Sequence, residues 1–257
     1  MKPSNFWGQP IGHWQLGHDT ALFPHLTSVN LALGFHAGDP VTLAQAVRLA
    51  KRHGLGIGAH PGYPDLVGFG RRAMALNPDE IHAVTLYQLG ALDVFLRVEG
   101  AQLQHVKAHG ALYTRVHNDP AAAEAFCEAV RRYAPQTMVI VLAGRGGDTL
   151  AQLAAQAGLR VAREAFPERA YTNDGQLASR DLPSSSIHDP AQAAQRAVDM
   201  ARGQIATLEG GRLGLKADTL CIHGDNPQAV EIAQAIREAL QAAGYGLAAL
   251  NRLSAAE

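Results

Sequence analysis

With 257 residues, 47% of them apolar and 18% charged, the chain can bury a large core and is too apolar to remain disordered. A net charge of −1 without any extended Lys/Arg block argues against nucleic acid or an anionic membrane as partner. Only Cys127 and Cys221 are present, with no C-x-x-C pair, which argues against a disulfide framework and a zinc knuckle and fits a reducing compartment. The stretch Met1 to Gln15 lacks the apolar run of a signal peptide, and no stretch reads as a membrane span, so a cytoplasmic protein is expected.

The first few residues could pair at a sheet edge, and the first clear strand covers Thr27–Leu33. Asp39-Pro40 then opens a helix that runs to about Gly54: a short polar side chain caps the orphan N–H groups, and Pro presets φ at the first helical position. Strand Leu55–Ala59 follows, then a helix from Asn77-Pro78, whose Asn-Pro-Asp-Glu start resembles a capping box, to Gly100. Strand Leu103–Val106 leads to a helix from Asp119-Pro120 to Tyr133-Ala134-Pro135. Strand Thr137–Leu142, helix Asp148–Ala157 and strand Leu159–Ala162 come next. The segment Pro167–His188 reads as an irregular loop over one face. A helix from Asp189-Pro190 to Gly203, strand Thr219–Ile222, a helix from Asn226-Pro227 to Gly244 and a further apolar run, Tyr245–Leu250, complete the pattern. The strands are apolar without strict alternation, as parallel strands buried on both faces are. Alternating strand and helix without a low-complexity linker predicts one α/β domain over residues 1–257; a closed barrel and an open doubly wound sheet both remain open at this point.

Polar residues collect where these strands end. Asn30 lies on the first and His36 to Asp39 follow it; His60 follows the second, Lys107 and His109 the third, Gly144-Arg145-Gly146-Gly147 the fourth, Glu164 the fifth, and His223-Gly224-Asp225 the sixth. In parallel α/β architectures the loops after the strands converge, so these residues are expected to share one pocket. Lys107 can polarise a carbonyl, hold a carboxylate, or sit in a structural ion pair, and Glu164 can be a base or the partner of that lysine. Asp39 is a helix cap and a site candidate at once, whereas His13, His18, His25, His53, His82, His117 and His188 read as surface or helix-end residues. Arg71-Arg72 sits in a Gly-rich anion-binding loop or an ordinary turn. The chain holds no G-x-x-x-x-G-K-[ST] phosphate loop and no G-x-S-x-G elbow, and it lacks H-x-x-x-H on a helix face, leaving any metal undetermined.

Several of these segments also fall in a familiar order. Ser28-Val29-Asn30-Leu31-Ala32-Leu33-Gly34-Phe35-His36-Ala37-Gly38-Asp39, Gly58-Ala59-His60-Pro61-Gly62-Tyr63-Pro64-Asp65, Phe69-Gly70-Arg71 and Tyr87-Gln88-Leu89-Gly90 precede His105-Val106-Lys107-Ala108-His109-Gly110-Ala111-Leu112-Tyr113. Phe166 to Tyr171, Asp174-Gly175, Ser179-Arg180 and Cys221-Ile222-His223-Gly224-Asp225 complete the series. Together, from residue 11 to about 250, they resemble the LamB/YcsF family. The resemblance implies a TIM-like (β/α) barrel related to the glycoside hydrolase/deacetylase superfamily. It implies a bacterial hydrolase component that works with B and C partners and ATP to open 5-oxoproline, a lactam, to L-glutamate. On that reading His36, Asp39, His60, Lys107 and His109 are the catalytic candidates, and Asn30, Arg71, Tyr113, Glu164, Arg169, His223 and Asp225 the substrate-binding ones. The family's acidic opening, D-L-N-C-D-L-G-E-G, is not matched: Lys2, Ser4, Phe6 and Gln9 stand at its four polar places. Leu33, Ala108 and Thr114 also depart from the family pattern. A non-catalytic or substrate-switched barrel and a metal-dependent deacetylase-like hydrolase are the alternatives.

Overall fold

The structure, a computed structural model, describes residues 3–7, 19–179 and 181–250. Lys2, Gln9, His13, His18 and Arg180, singled out in the sequence, lie outside the described residues. The chain begins with β1 (Pro3–Trp7), a short α1 (Asp19–Leu22), β2 (Ser28–Ala32), α2 (Pro40–Arg52), β3 (Gly56–His60) and α3 (Pro78–Glu99). It continues through β4 (Leu103–Val106), α4 (Gly110–Asn118), α5 (Pro120–Tyr133), β5 (Met138–Leu142), α6 (Asp148–Gln156) and β6 (Arg160–Ala165). The last elements are α7 (Pro190–Ala201), the hairpin β7 (Gln204–Ala206) and β8 (Arg212–Gly214), β9 (Thr219–His223) and α8 (Ala229–Ala242).

Among the described residues the parallel strands β1 to β6 and β9 close into a barrel, in that order, with the β7–β8 hairpin apart. This settles the choice between barrel and open sheet. The first residues are not an edge: Phe6 is in register with Asn30 on one side and with His223 on the other. Closure on the far side is short, only Glu164 with Thr219 and Ala165 with Leu220.

Side-chain alternation divides the barrel wall. Val29, Leu31, Val106, Val139, Val141 and Leu220 join the large core beneath the helices. The opposite face carries buried polar groups, among them Asn30, His105 and Glu164. His105 reaches across the interior to Asn30 Oδ1 at 2.7 Å, which requires glycine at position 58, where a Cβ would lie 2.0 Å from the imidazole. Met138, Ile140 and Ala162 form a separate small cluster with Leu250, and the apolar run Tyr245–Leu250 forms no strand.

Local chemistry explains the helix starts. Asp39 accepts from Val41 N and Thr42 N at 2.9 and 3.1 Å, Asn77 and Glu80 form a reciprocal capping box, and Asp119 and Asp189 cap α5 and α7. Asn226-Pro227 breaks the series. Helix α8 begins later, at Ala229; Asn226 Oδ1 still accepts from Gln228 N at 3.0 Å, while its Nδ2 donates to the Glu168 carboxylate at 2.8 Å. Helix α4 lacks an Asx-Pro start and escapes the sequence pattern, since its cap residue is His109, which makes no capping bond. No membrane span is expected from the sequence, yet α3 is long and apolar enough to cross a membrane by length and composition alone. It packs on α5 and buries Ile81, Leu89, Leu92 and Leu96 in the common core.

Candidate functional site

Beyond β4 the chain stays extended. Lys107 N donates to Ala59 O at 2.9 Å and His109 N to Pro61 O at 2.8 Å, so positions 105, 107 and 109 fall on one face at rising heights. Lys107 Nζ donates to Glu164 Oε2 at 2.6 Å and to Cys221 Sγ at 3.2 Å, above the rings of Tyr113 and Phe166. The Lys107 and Glu164 side chains are only 5% and 0% exposed. Burial works against the lysine cation, but its neighbours prevail and hold the ammonium above its ordinary value. Burial pushes the Cys221 thiol up to about 12, so at neutral pH the attraction comes from Glu164 rather than from a thiolate. Burial, then the Glu164 charge, likewise raises Tyr113 well above the ordinary phenol value, keeping its hydroxyl protonated.

Three histidines form the next layer. His36 stacks on His109 with ring centroids 3.9 Å apart and 9° between planes, and His60 meets both edge-on. His60 Nδ1 lies 2.7 Å from Lys107 O, His109 Nε2 lies 2.7 Å from Phe69 O, and His60 Nε2 faces His109 Nδ1 at 3.2 Å. Burial is the main cause that lowers all three: His109 to about 3, His36 and His60 well below the ordinary imidazole value. The loop after β3 lies directly on these rings. A Cβ at Gly70 would lie 2.8 Å from both His109 and His36, and one at Gly110 would lie 2.5 Å from Gly70 O. Glycine permits that approach of loop to imidazole.

At the end of β9, the Glu168 carboxylate accepts from His223 N at 2.7 Å, faces His223 Nδ1 at 3.3 Å and accepts from Asn226 Nδ2 at 2.8 Å. A carboxylate on Nδ1 orients the ring and leaves Nε2 to the cavity. Phe166 stacks on the same imidazole. Arg71 closes over the mouth, its guanidinium 2.6 Å from Asp225 Oδ2 and 5.0 Å above the Phe69 ring.

These groups surround a 670 Å³ cavity at the carboxyl ends of the strands. It is lined by His60, Arg71, Lys107, His109, Tyr113, Arg169 and His223, seven of the residues expected from the sequence. Glu164 and His36 stand behind this lining, in contact with Lys107 and His109 respectively. Asn30 lies deeper, bonded to His105, and Asp225 holds Arg71. Asp39 is not brought to the cavity: both carboxylate oxygens are spent within α2, on two backbone N–H groups and on Thr42 Oγ1 at 2.6 Å. A cavity of similar volume, 660 Å³, opens at the opposite end of the barrel around Gln104, Gln136 and Arg160, so volume alone does not mark the site. Among the described residues no group of three or more His, Cys, Asp or Glu is arranged to hold a metal ion. Sequence reasoning missed Glu168, which lies in the irregular segment after β6 and has no periodic signal. His117 stands in the last turn of α4, as a helix-end residue should, but its side chain is buried.

The model of the LamB/YcsF family matches residues 7–255. The chain belongs to the LamB/YcsF family. It is 70% identical to the A subunit of 5-oxoprolinase from Deinococcus radiodurans over 95% of both chains. It is 53% identical to the corresponding 5-oxoprolinase component of Thermus thermophilus, over 92% of this chain and 94% of the relative. Among solved structures it resembles a lactam utilization protein from Thermus thermophilus, with a TM-score of 0.89, 49% identity and coverage of 96% and 98% of the two chains. The departures at Lys2, Ser4, Phe6 and Gln9 therefore do not remove the chain from the family.

Proposed function

We propose that this chain is the A subunit of a 5-oxoprolinase, the barrel component of an assembly that hydrolyses the lactam bond of 5-oxoproline to give L-glutamate. The observation that carries this reading is the 70% identity, over 95% of both chains, to a relative of that name, on a barrel whose cavity gathers a charged lysine and histidines. Opening a lactam requires a polarised carbonyl, support for the developing oxyanion, a proton acceptor for water and a proton for the departing nitrogen. Lys107, fixed by Glu164, supplies positive charge for the carbonyl oxygen or the substrate carboxylate. Arg71 and Arg169 are further carboxylate partners at the rim. His60 and His109 carry the proton. Tyr113, kept protonated, is available as a hydrogen-bond donor and not as a base.

Lactams resist hydrolysis; phosphorylation of the lactam oxygen by ATP makes the carbon electrophilic enough to add water, cleavage of the carbon–nitrogen bond then leaves an acyl phosphate, and a second water hydrolyses it to the carboxylate and phosphate. The chain has no phosphate loop of the Walker type. We assign ATP to the complete assembly with B and C partners, a division of labour supported by the relatives, which are named as one lettered component of a larger enzyme. The working compartment is the cytoplasm, where ATP is available.

The test is ATP-dependent glutamate formation from 5-oxoproline by this chain mixed with B and C partners. Activity that disappears with His109→Ala is the expected result. No glutamate, from partners proven active beside another family member, overturns the reading and leaves a ligand-binding barrel without this chemistry.

A further inference from the structure

The contacts of His60 and His109 fix more than their positions. A main-chain carbonyl only accepts, so His60 Nδ1, 2.7 Å from Lys107 O, carries a hydrogen. By the same rule His109 Nε2, 2.7 Å from Phe69 O, carries a hydrogen. A neutral imidazole has a single N–H. When both rings are neutral, their inner nitrogens, His60 Nε2 and His109 Nδ1, are therefore both bare acceptors, and they face each other across 3.2 Å. Two lone pairs repel at that distance. One added proton turns the contact into a charge-assisted hydrogen bond; a second would set two N–H groups against each other.

We infer that His60 and His109 act as one base with room for a single proton, held between His60 Nε2 and His109 Nδ1. The outer carbonyls are firmly placed. Lys107 O belongs to the segment tied to β3 by the bond from Lys107 N to Ala59 O. Phe69 is one of two described non-glycine residues with positive φ, at 54°, an unfavourable conformation for a bulky side chain, and it aims its carbonyl at His109. Flipping either ring would put carbon where both of its nitrogens now bond.

The surroundings keep the proton exchangeable. Burial, the stacked His36 and the charges of Lys107 and Arg71 oppose the cation, with His223 also facing His109. Each of those two cations has its own carboxylate, Glu164 and Asp225. The inner hydrogen bond favours the cation. A site under both influences takes a proton and releases it.

The resting geometry alone carries the protonation state; its use in catalysis rests on the lactam reading above. There, the pair takes one proton from the water whose oxygen bonds to the lactam carbon. It returns that proton to the ring nitrogen as the carbon–nitrogen bond breaks, so the pair ends as it began.

The experiment is a pH titration of the full-length chain carrying ¹⁵N-labelled histidine, followed by long-range ¹H–¹⁵N correlation without substrate. The expected result is hydrogen on His60 Nδ1 and His109 Nε2 throughout, with both inner nitrogens shifting together in one step. In His109→Gln the His60 step should move by about one pH unit or more, as removal of a strongly coupled partner requires. Independent titrations, a neutral ring protonated on its inner nitrogen, or an unmoved His60 step in the variant overturns the inference. So does Zn²⁺ or Mg²⁺ shifting the inner resonances, which would make the pair a metal ligand set. If the variant does not fold, the wild-type titration decides alone. Because no substrate is present, failure here is separate from failure of glutamate formation.

Discussion

His117 Nε2 accepts the backbone N–H of Leu142 at 3.0 Å, and its Nδ1 donates to Tyr113 O at 2.7 Å. The ring thereby joins α4, which carries Tyr113, to the carboxyl end of β5, and it does so only as the neutral tautomer. Protonation of Nε2 would replace the Leu142 acceptor with a second donor. Burial holds this histidine down to about 4. Between pH 6.5, the ordinary value, and about 4 the unfolded chain binds a proton that the folded chain rejects. The contribution is complete above pH 6.5 and is lost as pH falls toward 4, with an upper limit of about 3 kcal/mol. His105, lowered to about 3 by burial, adds in the same direction. Urea unfolding at pH 7.5, 5.5 and 4.5 should show a falling midpoint in the wild type. His117→Gln should be weaker at pH 7.5 with a shallower pH dependence; equal slopes would reject the assignment.

The Lys107–Glu164 pair makes a different kind of prediction. Glu164→Gln leaves a buried ammonium without its counter-charge, at a cost of about 3–5 kcal/mol, while two apolar side chains of similar volume restore much of the loss. Lys107→Met with Glu164→Leu should therefore unfold at higher denaturant concentration than Glu164→Gln, yet form no glutamate in the reconstituted assembly. A double variant that is folded and active would show that the pair serves stability alone.

Glu168 is a positioning residue, acting through His223 and Asn226 rather than on substrate. Glu168→Gln should reduce kcat by roughly 10²-fold, the scale of a misoriented acid or base, with KM little changed. Glu168→Asp should recover part of the rate. Steady-state kinetics on the assembly distinguishes this from a structural role, in which rate and thermal stability would decline together and Asp would give no rescue.

What the sequence disclosed follows from how local the chemistry is. Asp39, Asn77, Asp119 and Asp189 announce their helices because cap and proline lie within one turn of each other. Asn226 carries the same dipeptide and makes the local bond to Gln228 N, but its Nδ2 also meets Glu168, a tertiary contact that no local pattern encodes. His60, Lys107 and His109 were legible as a site because parallel strands bring their carboxyl ends together. Asp39 shows the limit of that rule: a helix cap and a site carboxylate leave the same trace at a strand end. His117 reads as a helix-end residue, and only packing reveals that its ring turns inward to β5. The barrel closure rests on β1, whose residues Pro3–Trp7 carry little strand pattern of their own and are defined by pairing with β2 and β9.

The loop over the histidines should depend on Gly110 more than on any other left-handed glycine compared with it. Gly110 has φ of 54°, and its added Cβ would meet the main-chain oxygen of Gly70, which cannot rotate away as a side chain could. Gly158 has φ of 75° with no atom within 4 Å of its would-be Cβ. Alanine at 158 therefore incurs only the left-handed backbone penalty, about 1–2 kcal/mol. Alanine at 110 incurs the same penalty and must also lift the loop, which breaks the bond from Ala111 N to Gly70 O and shifts Phe69 O from His109 Nε2. Denaturant unfolding should place Gly110→Ala below Gly158→Ala, by about 1 kcal/mol or more for the lost hydrogen bond and the displaced contact. Glutamate formation should fall in Gly110→Ala and persist in Gly158→Ala. Equal stability and equal activity in the two variants would mean that the loop does not press on the histidines as the structure describes.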